Sequence, residues 1–143
     1  MFVKRIGQHM LPLPKKETDG SAGFDLRASE HVTIPSGGSA IVPTGFAWQI
    51  PSGSVGMICS RSGMAARNQV FVLNAPGIID SDYRGEVQVI LMNLGQDPFW
   101  VSPGNRIAQM VMTIALGGCC VHELAELQET KRAGGGLGST GSG

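Results

Sequence analysis

The sequence predicts an all-β domain: a sandwich, barrel or jelly roll. Three observations predict it. Short apolar and β-branched runs recur along the chain, 21 glycines and 8 prolines punctuate them, and helical periodicity is scarce. Strands are expected at "HVTI" (31–34), "SAIV" (39–42), "FAWQI" (46–50), "VGMIC" (55–59), "VFVL" (70–73), "EVQVILM" (86–92), "FWV" (99–101) and residues 106–115. Turn sequences separate them: "PSG" at 35–37 and 51–53, "NLGQDP" at 93–98 and "SPGN" at 102–105. "SGMAAR" (62–67) is long enough for a turn or two of helix. In "VHELAELQE" (121–129), Val121, Leu124 and Leu127 fall at helix-like spacing, and periodicity alone leaves that segment ambiguous. The last ten residues hold six glycines and by composition alone read as a flexible tail.

A length of 143 residues suggests one domain with its own core, and 42% hydrophobic against 15% charged residues places it among globular chains. Eleven basic residues balance eleven acidic ones, so no overall field draws in nucleic acid and any anion site must be a local cluster. The N-terminal "MFVKRIGQHMLPLPKK" lacks the apolar core of a secretion signal, and no apolar run reaches membrane-spanning length. Neither a nucleic-acid nor a membrane partner is expected. Cys59, Cys119 and Cys120 read as reduced thiols of a cytoplasm-like compartment. Cys119, Cys120 and His122 lack a second ligand pair, so they read as ordinary strand residues rather than a metal cluster.

Three segments carry chemistry. In "NAPGIIDSDYRGEVQV" (74–89), Asp80 and Asp82 flank a serine at what could be any polar hairpin bend. A calcium loop is excluded, because Arg84 and Leu91 stand where oxygen ligands are needed. Asp80 follows Ile78 and Ile79, and a carboxylate at the end of an apolar strand is expected to be partly desolvated, which suits a base or a metal-water contact. In "CSRSGMAAR" (59–67), Arg61, Ser62 and Gly63 join a guanidinium, a hydroxyl and an unhindered N–H, a set that suits phosphate oxygens. The plainer alternative is a helix capped by Ser62 with a solvated arginine. In the tail, residues 136–141 match G-x-G-x-x-G only formally, since no strand precedes and no helix follows. Its glycines, with Arg132, Ser139 and Thr140, could still wrap a polyphosphate with backbone donors.

Five ordered blocks resemble the trimeric dUTPase family: "AGFDLRA" (22–28), "RSGMAAR" (61–67), "NAPGIIDSDYRGEV" (74–87), "GNRIAQM" (104–110) and "RAGGGLGST" (132–140). The resemblance implies a homotrimeric β jelly roll or barrel, residues 1–131, with a glycine-rich C-terminal arm, residues 132–143, that closes over active sites shared between subunits. It implies magnesium-assisted hydrolysis of dUTP to dUMP and pyrophosphate, which keeps uracil out of DNA and supplies dUMP for dTMP synthesis. Asn74, with Gly77, Ile78, Ile79 and Gln88, would form the uracil pocket, and Tyr83 would pack under the deoxyribose. Asp80 would activate the water that attacks the α-phosphorus. Arg61, Ser62, Gly63 and Gln109 would hold phosphates, and Asp25 would meet Mg2+ through water. Arg132, Ser139 and Thr140 would clamp the phosphate chain, while Leu137 and Gly138 lie over the base. Two rivals share the scaffold: a dCTP deaminase, against which Asn74 and "GIIDSDY" argue, and a non-catalytic interaction protein, against which Asp80, Arg61 and Arg132 argue.

The chain departs from the family pattern at three positions. Arg67 replaces a common Lys, Asn105 replaces a common Asp, and Leu137 replaces the usual Phe of the tail. An aliphatic side chain covers uracil less well than an aromatic face, a loss of about 1–2 kcal/mol. Leu137→Phe should therefore tighten arm closure on a non-hydrolysable dUTP analogue and raise affinity or turnover, whereas deletion of 132–143 should cripple catalysis without dissolving the trimer. Protease protection of the arm and steady-state kinetics check both. No change on Leu137→Phe would remove the base-covering role from this residue.

Overall fold

The computed structural model describes residues 1–135. Its elements are β1 (Phe2–Arg5), β2 (Gly23–Arg27), β3 (Val32–Ile34), β4 (Ser39–Gln49), β5 (Ser54–Cys59), α1 (Ser62–Asn68), β6 (Val70–Val72), β7 (Gly77–Ile79), β8 (Glu86–Asn93), β9 (Phe99–Val101) and β10 (Arg106–Ile114). Two four-stranded antiparallel sheets, ordered β1-β4-β8-β6 and β2-β10-β5-β7, are joined by a two-stranded ribbon, β3-β9. The all-β expectation thus holds, with one short helix among the described residues.

β8 shows how the pattern folds. Val87, Val89, Leu91 and Asn93 alternate inward while the residues between them face out. They meet Val42, Phe46 and Trp48 of β4 and, from the other sheet, Leu26, Ile58, Ile107 and Met110 in one buried core. Burying each such aliphatic side chain contributes about 1.5–3 kcal/mol. Asn93 is the polar exception. Its amide donates to the Ile34 and Asp97 carbonyls at 3.1 and 2.9 Å, and its Oδ1 accepts the Gly95 N–H at 2.8 Å. It fastens the ribbon and the 94–98 turn to the end of β8.

Two bulges depart from regular pairing. On β4 the register jumps from Pro43↔Gln88 to Ala47↔Glu86. The lost ladder bonds are replaced by the Thr44 hydroxyl donating to the Val87 carbonyl (2.6 Å) and the Gly45 N–H donating to the Glu86 carboxylate (2.6 Å). Gly45 is required there: its φ is +74° and a Cβ would collide with the His9 ring. The "PTG" that separates two predicted strands, 39–42 and 46–50, is this bulge within one strand. On β10 the pairs Arg106↔Arg27 and Ala108↔Leu26 leave Ile107 as an extra residue.

Other expectations change as well. β1 and β2 are strands beyond those expected: β1 is a short run without alternation, and β2 alternates (Phe24, Leu26 against Asp25, Arg27) but over only five residues. Residues 121–129 form no helix, and Val121, Leu124 and Leu127 are exposed. Nine residues with no surface to pack on are too few for an isolated helix. Cys119 and Cys120 are not strand residues: they lie beyond the end of β10, exposed. Among the described residues no three His, Cys, Asp or Glu gather into a metal-binding group, and no helix is long and apolar enough to cross a membrane.

Asn93→Ala should cost about 2–4 kcal/mol, because it strands the buried Ile34 carbonyl and removes two further part-buried bonds, to Asp97 and Gly95. Urea unfolding of wild type and variant measures it; a loss below 0.5 kcal/mol, taken as roughly the surface-substitution range, would contradict this role.

Candidate active site

β10 lies at the centre of its sheet, and the site grows from that position. On one side Gln109 pairs with Asp25 of β2, and on the other with Cys59 of β5. Cross-strand partners point to the same face, so Asp25 and Gln109 stand side by side. From Cys59 the chain runs through Ser60 into α1, which brings Arg61, Ser62 and Gly63 to the same place. Gln109 Nε2 donates to the Ser60 carbonyl at 3.1 Å and ties the turn to the strand. Gly23 leaves room for it, since a Cβ there would come within 2.9 Å of Gln109 Oε1.

Gly23, Asp25, Arg61, Ser62, Gly63 and Gln109 line an open cleft of about 280 Å³, completed by Glu17, Ser21 and Arg106. Asp25, whose side chain is 13% exposed, is flanked by two guanidinium groups. Arg61 Nε lies 3.5 Å from Oδ1, and Arg106 Nη1 donates to Oδ2 at 3.1 Å. Arg61 also donates from Nη1 to the Arg106 carbonyl at 3.1 Å. Arg61 itself occupies the helix cap position without a side-chain cap bond, and Ser62 is the first helical residue rather than the cap. The Ser62 hydroxyl is therefore not committed to capping. Two cations, a hydroxyl and unhindered backbone around an open cleft suit the oxygens of a polyphosphate, and Asp25 suits a hydrated cation carried with them.

Arg106, Glu17, Ser21 and Gly23 escaped the sequence reading. Regular alternation sends Arg106 to the same side as the buried Ala108 and Met110. The extra residue, Ile107, reverses that, and a bulge has no signature in a single sequence.

A second group gathers around the β7–β8 connection, whose two strands belong to different sheets. Gly77 pairs with Ile58, and a Cβ on it would lie 3.3 Å from both Ile58 Cβ and Asn74 Nδ2, so the Asn74 side chain lies close over it. The Tyr83 N–H donates to the Asp80 carbonyl at 3.2 Å, and its hydroxyl donates to the Glu86 carbonyl at 3.0 Å, laying the ring over Gly85. Ile78 and Tyr83 are 54% and 43% exposed. Gln88 is exposed on β8. Asp80 is exposed too, which corrects the expectation that the strand end desolvates it. Ile78 points outward and Ile79 is only half-buried, so neither screens the carboxylate within one chain.

None of Asn74, Asp80, Tyr83 or Gln88 lines the cleft of Arg61. Arg132 is exposed in a turn, donating from Nε to the Gly135 carbonyl at 3.0 Å, and is also apart from the cleft. Leu137, Gly138, Ser139 and Thr140 lie outside the described residues. Of the departures, Arg67 lies against Gly63, and Asn105 accepts the Ser102 N–H at 2.9 Å, a turn bond that an aspartate would also make.

A dUTPase family model matches residues 9–141. The chain is similar to the deoxyuridine 5'-triphosphate nucleotidohydrolase of Anaeromyxobacter sp. (strain Fw109-5), with 51% identity over 97% of this chain and 95% of that protein. In structure it is similar to a mutant dUTPase of Staphylococcus bacteriophage 80alpha solved with dUpNHpp (TM-score 0.90, 22% identity, 99% of this chain and 98% of that one). It is also similar to a mutant dUTPase from phage phi11 of S. aureus, described with a coordinated structural Mg(II) ion (TM-score 0.75, 20% identity, 91% and 97%). At such identities the structural likeness is one of fold, whereas the family model and the 51% relative span almost the whole chain. The chain belongs to the dUTPase family.

Proposed function

We propose that this chain hydrolyses dUTP to dUMP and pyrophosphate in the cytoplasm, as a homotrimer whose active sites each draw on more than one subunit. The observation that carries this reading is the convergence of Asp25, Arg61, Ser62, Gly63 and Gln109, from three elements, on one open cleft. The name of the Anaeromyxobacter relative supports the substrate. The separation of Asp80, Asn74 and Tyr83 from that cleft supports sharing: a neighbour's hairpin completes the site.

In this reading the cleft holds the triphosphate and the neighbour's hairpin holds the nucleoside. Asn74 and the backbone of Ile79 and Gln88 meet the polar edge of uracil, and the close fit at Gly77 and Ile78 excludes a thymine methyl. Tyr83, fixed by its bond to Glu86, lies under the deoxyribose and leaves no room for a 2′-hydroxyl. Asp80 accepts a proton from water as its oxygen attacks the α-phosphorus. The bond from that phosphorus to the bridging oxygen breaks, and pyrophosphate leaves. The neighbouring chain screens Asp80 from bulk water, which one chain does not.

The donor set fits magnesium. No described cluster can cage a metal on its own, whereas Asp25 can engage a hydrated ion held mainly by phosphate oxygens. Bound there, magnesium neutralises charge that builds on the departing pyrophosphate. The arm, residues 132–143, closes over the site, with Arg132, Ser139 and Thr140 on the phosphates and Leu137 and Gly138 at the base. The product is dUMP for dTMP synthesis, and uracil is kept out of DNA.

Asp80→Asn should lower pyrophosphate release from dUTP by about 100- to 10,000-fold while a non-hydrolysable analogue still binds. Near wild-type turnover would exclude Asp80 as the base. Arg61→Ala and Asp80→Asn chains, each inactive alone, should regain activity when unfolded and refolded together. Mixed trimers without any recovery would rule out shared sites.

A further inference from the structure

Arg106 has no part in the mechanism above, yet it lines the cleft beside Asp25. A bulge turns it there, away from the core. Its Nη1 sits 3.1 Å from Asp25 Oδ2, on the far side of the carboxylate from Arg61. The two arginines are held differently. Arg61 is anchored a second time, by its bond to the Arg106 carbonyl, and its side chain is 28% exposed. The Arg106 side chain is 39% exposed, and its other ionic neighbour is Glu17 at 3.8 Å, itself shared with Arg27 at 3.4 Å. Arg106 makes the shorter contact with Asp25, but unlike Arg61 its guanidinium has no backbone anchor among the described residues.

We infer that Arg106 is a positioning residue that holds the Asp25 carboxylate in the empty cleft and passes to the phosphate oxygens when the metal-bearing triphosphate enters. The inference rests on the proposed dUTP reading. A hydrated divalent cation and a guanidinium compete for the same carboxylate oxygen, because like charges at that distance repel. The incoming cation therefore displaces Arg106, which has no second anchor on the backbone, rather than Arg61, which has one. The triphosphate that accompanies it is the nearest unpaired anion, and a guanidinium matches its oxygens. The exchange keeps Asp25 neutralised at every stage: by Arg106 before substrate, by the metal after.

Calorimetric binding of α,β-imido-dUTP to the full chain, with Mg2+ and with EDTA, tests this. Arg106→Gln leaves the Asp25 carboxylate less neutralised beside the incoming triphosphate when no metal is present, so affinity in EDTA should fall about tenfold, the scale of one charge-assisted hydrogen bond. With Mg2+ the fall should be smaller, because nothing contests Asp25. The factor by which Mg2+ tightens binding should therefore rise at least about threefold above wild type. Arg106→Lys keeps a charge and should restore most affinity in EDTA. Arg106→Met, which keeps the aliphatic stem over β10, serves if the Gln variant does not fold, as judged by melting temperature and trimer mass. An equal loss with and without Mg2+, or no loss in either, would overturn the exchange and leave Arg106 a structural clamp. Failure of wild type to bind the analogue or release pyrophosphate from dUTP would instead defeat the functional reading.

Discussion

β10 has to satisfy two demands at once. Ile107, Ala108 and Met110 must fill the core between the sheets, while Gln109 and Arg106 must face the cleft. Strict alternation meets only part of this, because it puts Arg106 on the side of Ala108 and Met110. One extra residue removes the conflict by letting Ile107 and Ala108 both point inward. The pairing of β10 with β2 and β5 then fixes Asp25 and the start of α1 relative to Gln109. Core packing and cleft geometry are therefore the same constraint seen from two faces of one strand.

The charge pattern of the cleft follows. Two guanidinium groups on adjacent elements would repel, and Asp25 between them offsets that repulsion. The carboxylate is mostly buried, so its interactions are screened less than those of the surface pairs around Glu17. What results is a cleft in which one mostly buried carboxylate joins two guanidinium groups from different elements.

The hairpin half of the site shows the opposite economy. Asp80, Ile78 and Tyr83 are exposed because β7 is an edge strand and β8 has moved to the other sheet. A catalytic carboxylate left in open water is poorly placed for chemistry in isolation, and an apolar edge such as Ile78 is poorly placed for solubility. Under the proposed trimer, a neighbouring chain over this edge would resolve both.

The sequence by itself determined the fold class, since alternation of the kind in β8 and turn chemistry such as "PSG" and "SPGN" are local properties. It also marked residue types suited to phosphate, Arg61, Ser62, Gly63 and Gln109, and one suited to a hydrated cation, Asp25, because they stand in recognisable blocks. It could not reveal that "PTG" is a bulge, since a turn and a bulge use the same residues and differ only in what the partner strand does. Nor could it reveal Arg106, whose direction depends on an offset in pairing with β2, a strand some 80 residues away in sequence (Asp25 and Arg106 are 81 apart). The exposure of Asp80 within one chain is likewise beyond the reach of local sequence. Local sequence sets how a strand alternates, but only the tertiary arrangement decides which strand lies beside it and whether its end meets protein or water.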